Sequence, residues 1–377
     1  MRILVAVDAF KGCLSSADAG EIVAHRLRES PAGVEATVLA VADGGEGTTD
    51  AVLRATGGEL RRVTVTGPLG DPVTAACALL PDGRTAVLEM AAASGLELLP
   101  PECLDPLRAT TFGTGELILS ALDAGARELI VGVGGSATVD GGMGMAQALG
   151  WGLLRADGSD CGRGGAALAT LDRIDALGVA PALAFARLRV ACDVTNPLLG
   201  ERGAARVFGP QKGASPREVE QLERGLAHLA EVWRLEGLLG SVDEPGDGAA
   251  GGLGAGLRAF CRAELCRGAD LVADLVGFDE ALRGADLLVT GEGRTDAQTA
   301  DGKLPAVLAR RARAAGVRTV LLSGAIAGWP PALDALFDAR LATVDAAVPA
   351  AEAISAGRDN LAAAAGELGR RLARRAI

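Results

Sequence analysis

The stretch Arg2-Ile3-Leu4-Val5-Ala6-Val7-Asp8-Ala9-Phe10-Lys11-Gly12-Cys13-Leu14-Ser15 opens the chain and decides how the rest is read. Residues 2–8 form a short apolar run ending in an aspartate, the pattern of a strand buried on both faces. Residues 9–15 read as a loop. Ser15 with Asp18 three residues later marks a helix start, and that helix runs to about Glu29. The pattern then repeats: a strand over 34–41, the loop Ala42-Asp43-Gly44-Gly45-Glu46-Gly47, and a helix to about Ala55. Strands that alternate with helices predict a parallel sheet.

Working outward, the middle of the chain changes character. Segments 61–66, 73–80 and 85–90 are three successive strand-like runs separated by Gly67-Pro68 and Pro81-Asp82-Gly83, which predicts a meander. A helix (about 115–124), a strand (128–133) and the glycine-rich loop 134–142 follow. Beyond them come a strand over 189–193, a long loop to Ala214, a helix from Pro216 to about Leu235, and a glycine-rich stretch over 243–256. Alternation returns from Asp286, with strands over 287–290 and 318–322 and a helix to about Ala315 between them. The expected architecture is α/β with two domains. Residues 1–70 and 285–377 form a discontinuous domain with a mostly parallel sheet, and residues 71–284 form an inserted mixed α/β domain.

Composition narrows the chemistry. The 377 residues carry a net charge of −11, and no basic patch alternates with aromatics, so a nucleic-acid partner is not expected. The run Arg370, Arg371, Arg374, Arg375 is spaced like the solvated side of a helix. Seven cysteines without a C-x-x-C pair fit reduced thiols in the cytoplasm. No stretch reads as a signal peptide or is apolar for long enough to span a bilayer. Two histidines, His25 and His228, both in charged helix-like stretches, leave little for a Ser-His-Asp triad or a histidine-ligated zinc site. A metal would be held by carboxylates, which favours Mg²⁺.

Three patterns point to a site. Only three lysines stand against 34 arginines, and Lys11, Lys212 and Lys303 each adjoin a glycine. Arginine replaces lysine at little cost on a surface, but not where a compact ammonium must meet a phosphate or carboxylate. Asp8, Asp43, Asp193 and Glu292 are each expected at or just past the C-terminal end of a strand, the edge where open α/β sheets bind ligands. Loops 42–47, 134–142 and 248–256 could bring backbone N–H groups to anionic oxygens. Each pattern also has a plainer reading: residual surface lysines, helix caps, and turns.

Familiar nucleotide motifs do not fit. Gly302-Lys303 is followed by Leu304, so the Ser/Thr of a phosphate loop is missing. Gly132-Val133-Gly134-Gly135-Ser136-Ala137 matches a dinucleotide fingerprint only formally, because Thr-Val-Asp-Gly-Gly follows it instead of a helix. Phosphoryl transfer suits what remains, since it needs mainly positioning, metal and cationic groups.

Six blocks, in order along nearly the whole chain, resemble the class I glycerate kinase family of bacteria. They are Asp8-Ala9-Phe10-Lys11-Gly12, Ala42-Asp43-Gly44-Gly45-Glu46-Gly47-Thr48, Gly134-Gly135-Ser136-Ala137-Thr138-Val139-Asp140-Gly141-Gly142, Cys192-Asp193-Val194-Thr195-Asn196-Pro197-Leu198, Gly209-Pro210-Gln211-Lys212-Gly213-Ala214 and Gly291-Glu292-Gly293-Arg294-Thr295-Asp296. Ala9 departs from the family, which often carries serine there. The resemblance implies two α/β domains, one Rossmann-like, with a cleft between them. It also implies ATP and Mg²⁺ as cofactors and D-glycerate as substrate, phosphorylated mainly at the 2-hydroxyl. A monomer or homodimer is expected.

The resemblance and the residue reading together suggest roles. Asp193 would be the base or orienter for the attacking hydroxyl, with Asn196 nearby. Lys11 would bind phosphate or the glycerate carboxylate, and Asp8 would contribute to the same binding. Asp43 and Glu292 would hold Mg²⁺, directly or through water. Ser136, Thr138 and the surrounding amides would cradle an anion. Lys212 and Arg294 would neutralise charge on the transferred phosphoryl group, with Asp296 and Lys303 as further candidates. The rival readings are a kinase of another small hydroxy acid and a non-catalytic protein that senses a sugar acid.

Overall fold

The computed structural model describes residues 1–300 and 302–374. Arg375 of the basic run lies outside the described residues. The chain divides into two compact units, one of residues 1–43, 50–56 and 269–377, the other of residues 44–49 and 57–268.

The first unit holds a five-stranded sheet built from β1 (Arg2–Val7), β2 (Glu35–Val38), β11 (Leu287–Thr295), β12 (Arg318–Ile326) and β13 (Ala339–Ala342). Its order is β13-β12-β11-β1-β2, and every pair is parallel. The run 2–7 forms a strand because both faces are covered: Ile3, Val5 and Val7 pack on one face with Val23, Leu27, Leu361 and Leu368, and Leu4 and Ala6 are buried on the other. Ser15 caps the helix Ser16–Arg28 by accepting the Asp18 N–H, as its sequence spacing predicts. From β1 the chain winds to β2 on one side. From β11 it winds through β12 to β13 on the other. The direction of winding therefore reverses between β1 and β11, and such a switch point leaves a crevice at the C-terminal ends of the two strands.

The second unit holds a six-stranded sheet of β3 (Glu59–Thr66), β4 (Pro72–Leu79), β5 (Thr85–Glu89), β6 (Glu128–Gly132), β9 (Arg187–Ala191) and β10 (Glu264–Cys266), in the order β10-β9-β6-β5-β4-β3. The expected meander is present: β3, β4 and β5 are antiparallel, while β5, β6, β9 and β10 are parallel. A separate hairpin pairs β7 (Gly152–Leu154) with β8 (Arg173–Asp175). The core is aliphatic around Trp233 and Phe260, whose rings meet edge-on at 5.7 Å.

Several local expectations change. The sequence reading put the divisions near 70 and 285. Strand β3 pairs with β4, however, and is counted in the second unit, while residues 269–284 are counted in the first. Strand β11 continues five residues past the expected end at 290, because Arg294 and Thr295 still pair with Ala325 and Ile326. The expected long loop to Ala214 contains the helix Ala204–Phe208 and a 3-10 turn over Pro210–Lys212. The expected glycine-rich loop over 248–256 is mostly helix, Ala249–Cys261, entered through a left-handed kink at Ala250, Gly251 and Gly252. Gly251 is required there: its φ is +68°, and a Cβ would overlap the Thr138 carbonyl oxygen. Among the described residues no helix is long and apolar enough to cross a membrane.

Candidate active site

The crevice at the β1/β11 switch point is the site in the first unit. Strand β1 ends at Val7, and the Asp8 N–H donates to the Gly291 carbonyl at 2.8 Å. After Asp8 the chain closes a tight loop. Phe10 and Leu14 exchange both backbone hydrogen bonds at 2.9 Å, and the Phe10 ring is buried beneath. Gly12 turns the loop at φ +74°, which leaves Lys11 exposed at its tip. From β11, Glu292 and Arg294 join the same crevice. The cleft has a volume of about 350 Å³ and is lined by Asp8, Lys11, Asp43, Glu292, Arg294 and Lys303 at one end.

Electrostatics marks this end as a place for mixed charge. Burial, and then the neighbouring Asp43 carboxylate, pushes the Asp8 carboxyl well above the usual carboxylate range. The Ala9 N–H and Lys11 pull in the opposite direction. Glu292 is buried inside β11 instead of at or just past its end, where the sequence reading placed it. Its Oε1 accepts from the Thr299 hydroxyl at 2.6 Å and the Thr295 hydroxyl at 3.0 Å, while Oε2 lies 3.6 Å from the Lys303 ammonium. Burial raises the Glu292 carboxyl, opposed by Thr299, Lys303 and Thr295. Lys303 also pairs with Asp296 at 3.2 Å. Two of the three lysines thus meet in one cleft with three of the four singled-out carboxylates.

The second unit organises the remaining candidates around the 134–142 loop. Lys212 is only 2% exposed. Its ammonium donates to the Ser136 hydroxyl at 2.6 Å and to the Thr138 carbonyl at 2.7 Å. Burial lowers its pKa to about 7, opposed by Asp140. Two amides of the expected anion cradle are engaged within the protein, whereas the buried Thr138 Oγ1 has no hydrogen-bond partner among the described residues. The Ala137 N–H donates to Ser94 O and the Gly141 N–H to Gly251 O, and the Thr138 side chain is fully buried. Lys212 therefore points into the loop from beneath, not toward solvent. Asn196 closes its own loop by donating to the Arg202 carbonyl at 2.7 Å. Asp193 is exposed two residues past β9, with Oδ1 accepting the Gly268 N–H at 2.8 Å.

Two carboxylates escaped the sequence reading. Asp140 is fully buried and accepts from the Thr111 N–H and hydroxyl at 2.8 and 2.9 Å, and from the Gly142 and Gly144 N–H groups at 3.1 and 3.2 Å. Glu89, at the end of β5, accepts from the Thr49 N–H at 2.7 Å and the Gly47 N–H at 3.1 Å. The amides of loop 42–47 thus include one that faces a carboxylate of the protein itself. Asp140 had a signal, an acidic residue before two glycines. Glu89 had none.

Among the described residues no group of three or more His, Cys, Asp or Glu side chains is arranged as a ready metal site. The donors at the charged end of the first unit's cleft still suit a hard divalent cation. They are carboxylate oxygens, and the repulsion of Asp8 by Asp43 and Glu292 is of a kind a cation would relieve. Mg²⁺ is commonly held by one or two carboxylates together with substrate phosphates, so fewer than three protein ligands are sufficient.

Comparison with known proteins bears on this arrangement. The profile described as the glycerate kinase family matches residues 3–373. The chain is 47% identical over 360 residues to the glycerate kinase of Bacillus subtilis (strain 168), covering 94% of this chain and 93% of the relative. It is 48% identical over 313 residues to glycerate 2-kinase of Escherichia coli (strain K12), covering 83% and 82%. Its fold is similar to the crystal structure of a Salmonella typhimurium LT2 protein provisionally assigned as glycerate kinase 2, with a TM-score of 0.86, 42% identity and 100% of each chain covered.

Proposed function

The chain belongs to the glycerate kinase family, and from that premise we propose that it is a class I member transferring the γ-phosphoryl group of ATP to the 2-hydroxyl of D-glycerate. The observation that carries this reading is the cleft at the β1/β11 switch point, whose lining brings Lys11, Arg294 and Lys303 together with Asp8, Asp43 and Glu292. A chain with a net charge of −11 repels anions in general, so three cations gathered at one crevice matter.

In this reading Lys11 and Arg294 bind the phosphate chain and offset the charge that builds on the transferred group. Asp43 and Glu292 would hold Mg²⁺, which would supply charge neutralisation on the phosphates when bound. The two threonine hydroxyls on Glu292 Oε1 fix the orientation of that carboxylate, as outer partners of metal ligands do. Asp193 accepts the proton of the attacking 2-hydroxyl, and the Gly268 N–H holds its carboxylate in place. Lys212 acts through the loop it braces, keeping Ser136 and the residues around it in one conformation. The seven thiols, all free, fit a reducing cytoplasm.

The test is ADP release with ATP and Mg²⁺ against a panel of D-glycerate, L-glycerate and other small hydroxy acids. The reading requires the highest kcat/KM for D-glycerate and loss of turnover on chelation. Equal rates with and without any acceptor would defeat it.

A further inference from the structure

The cleft in the first unit has a second, apolar end that phosphates and a three-carbon acid leave unexplained. It is formed by Cys13, Val344, Val348, Ala353 and Ile354. The segment that supplies most of these residues is pinned to the sheet. The Thr343 N–H donates to Ser323 O at 2.8 Å and the Val344 N–H to Gly324 O at 3.0 Å, and within the segment the Val348 N–H donates to Asp345 O at 3.0 Å. Ile354 leans over the loop that carries Lys11, with its Cδ1 3.6 Å from where a Cβ on Gly12 would sit. The apolar surface therefore begins directly beside the cationic loop and is held in place by backbone bonds.

We propose that this apolar end receives the base of the nucleoside triphosphate, so that the cleft binds the donor along its length, base against Val344, Val348 and Ile354 and phosphates against Lys11 and Arg294. Glycerate carries a carboxylate and two hydroxyls on three carbons and has no surface to match aliphatic side chains. A heteroaromatic base does: its flat faces bury well against branched aliphatic groups, and its ribose tether places the phosphates at the adjoining charged end. The inference rests on the phosphate-binding reading of the same cleft, and the experiment is chosen to separate the two.

The probes are ATP, adenosine and inorganic tripolyphosphate, which has the phosphates and no base. The readouts are steady-state kinetics and the alkylation rate of Cys13 followed by peptide mass spectrometry. Cys13 lines the apolar end, and the exposed Cys103 serves as an internal control. Ile354 is 42% exposed, so Ile354→Asp should leave the fold intact. The expected results are adenosine protection of Cys13 but not Cys103, and a rise of about tenfold in KM for ATP in Ile354→Asp, as loss of one buried aliphatic contact predicts. The inhibition constant of tripolyphosphate should stay within about twofold on the same scale. Equal weakening of ATP and tripolyphosphate by Ile354→Asp, or no protection of Cys13 by adenosine, overturns the base subsite. Protection by adenosine with no inhibition of the wild-type protein by tripolyphosphate supports the base subsite and removes the phosphate reading instead.

Discussion

Lys212 and Ser136, 76 residues apart in sequence, meet at 2.6 Å beneath the 134–142 loop, with the lysine almost completely removed from solvent. Burial lowers the pKa of a lysine in that position to about 7, whereas in the unfolded chain it titrates near 10.4. Between those values the unfolded chain binds the extra proton. The burial penalty is therefore full below pH 7 and is relieved as pH rises toward 10. Lys212→Met removes this linkage. The stability of the wild type relative to Lys212→Met should rise with pH above 7, by at most about 1.4 kcal/mol per pH unit. Thermal melts of both proteins from pH 6.5 to 9.5 measure it. A flat or falling difference would count against a lowered pKa for the buried amine.

Asp140 receives four hydrogen bonds, all from donors, and no solvent reaches it. Asp140→Ala leaves those buried donors without an acceptor, and Asp140→Asn points an amide donor at some of them. Each should destabilise the protein by about 3 kcal/mol or more, read as a fall in denaturation midpoint. Wild-type stability in both variants would show that the carboxylate does not organise the loop.

Lys11 is exposed at the tip of its loop, so its replacement should act on binding and turnover and not on the fold. Lys11→Ala is expected to lower kcat/KM for ATP by roughly 10- to 100-fold, the range for losing a charge-assisted hydrogen bond. An exposed control such as Arg84→Ala should stay within about twofold on the same scale. Lys11→Arg should recover little, because the site needs a compact ammonium. Equal effects of Lys11→Ala and the control would return Lys11 to the ordinary surface.

Asp193→Asn keeps an acceptor for the Gly268 N–H and removes the proton-accepting carboxylate. The expected result is a fall in kcat of roughly 10²- to 10⁴-fold with an unchanged melting temperature. A kcat near wild type would assign Asp193 to capping alone.

Much of the first unit's sheet was legible because it rests on local signals. The run 2–7, the Ser15/Asp18 cap and the return of alternation near 286 each predict an element without knowledge of the rest. The lysine count led to Lys11 and Lys303 in one cleft. It misjudged the setting of Lys212, whose burial depends on the helix Ala204–Phe208 and the turn Pro210–Lys212 within a stretch that reads as loop. The position of Glu292 inside β11 was hidden for a similar reason: the strand is extended by pairing with β12, a tertiary effect. Glycines over 248–252 signalled a break correctly but concealed the helix after it, although Leu253, Leu257 and Phe260 keep helical spacing and are buried. Glu89 and Asp140 could not be found locally, since they bind Thr49 and Thr111 from 40 and 29 residues away.

Phosphorus NMR of the protein incubated with ATP, Mg²⁺ and D-glycerate tests the central claim most directly. The account predicts that the ATP γ signal is replaced by ADP and by a phosphomonoester coupled to the proton on carbon 2 of glycerate. A spectrum in which ATP persists, or breaks down only to ADP and inorganic phosphate, would contradict it.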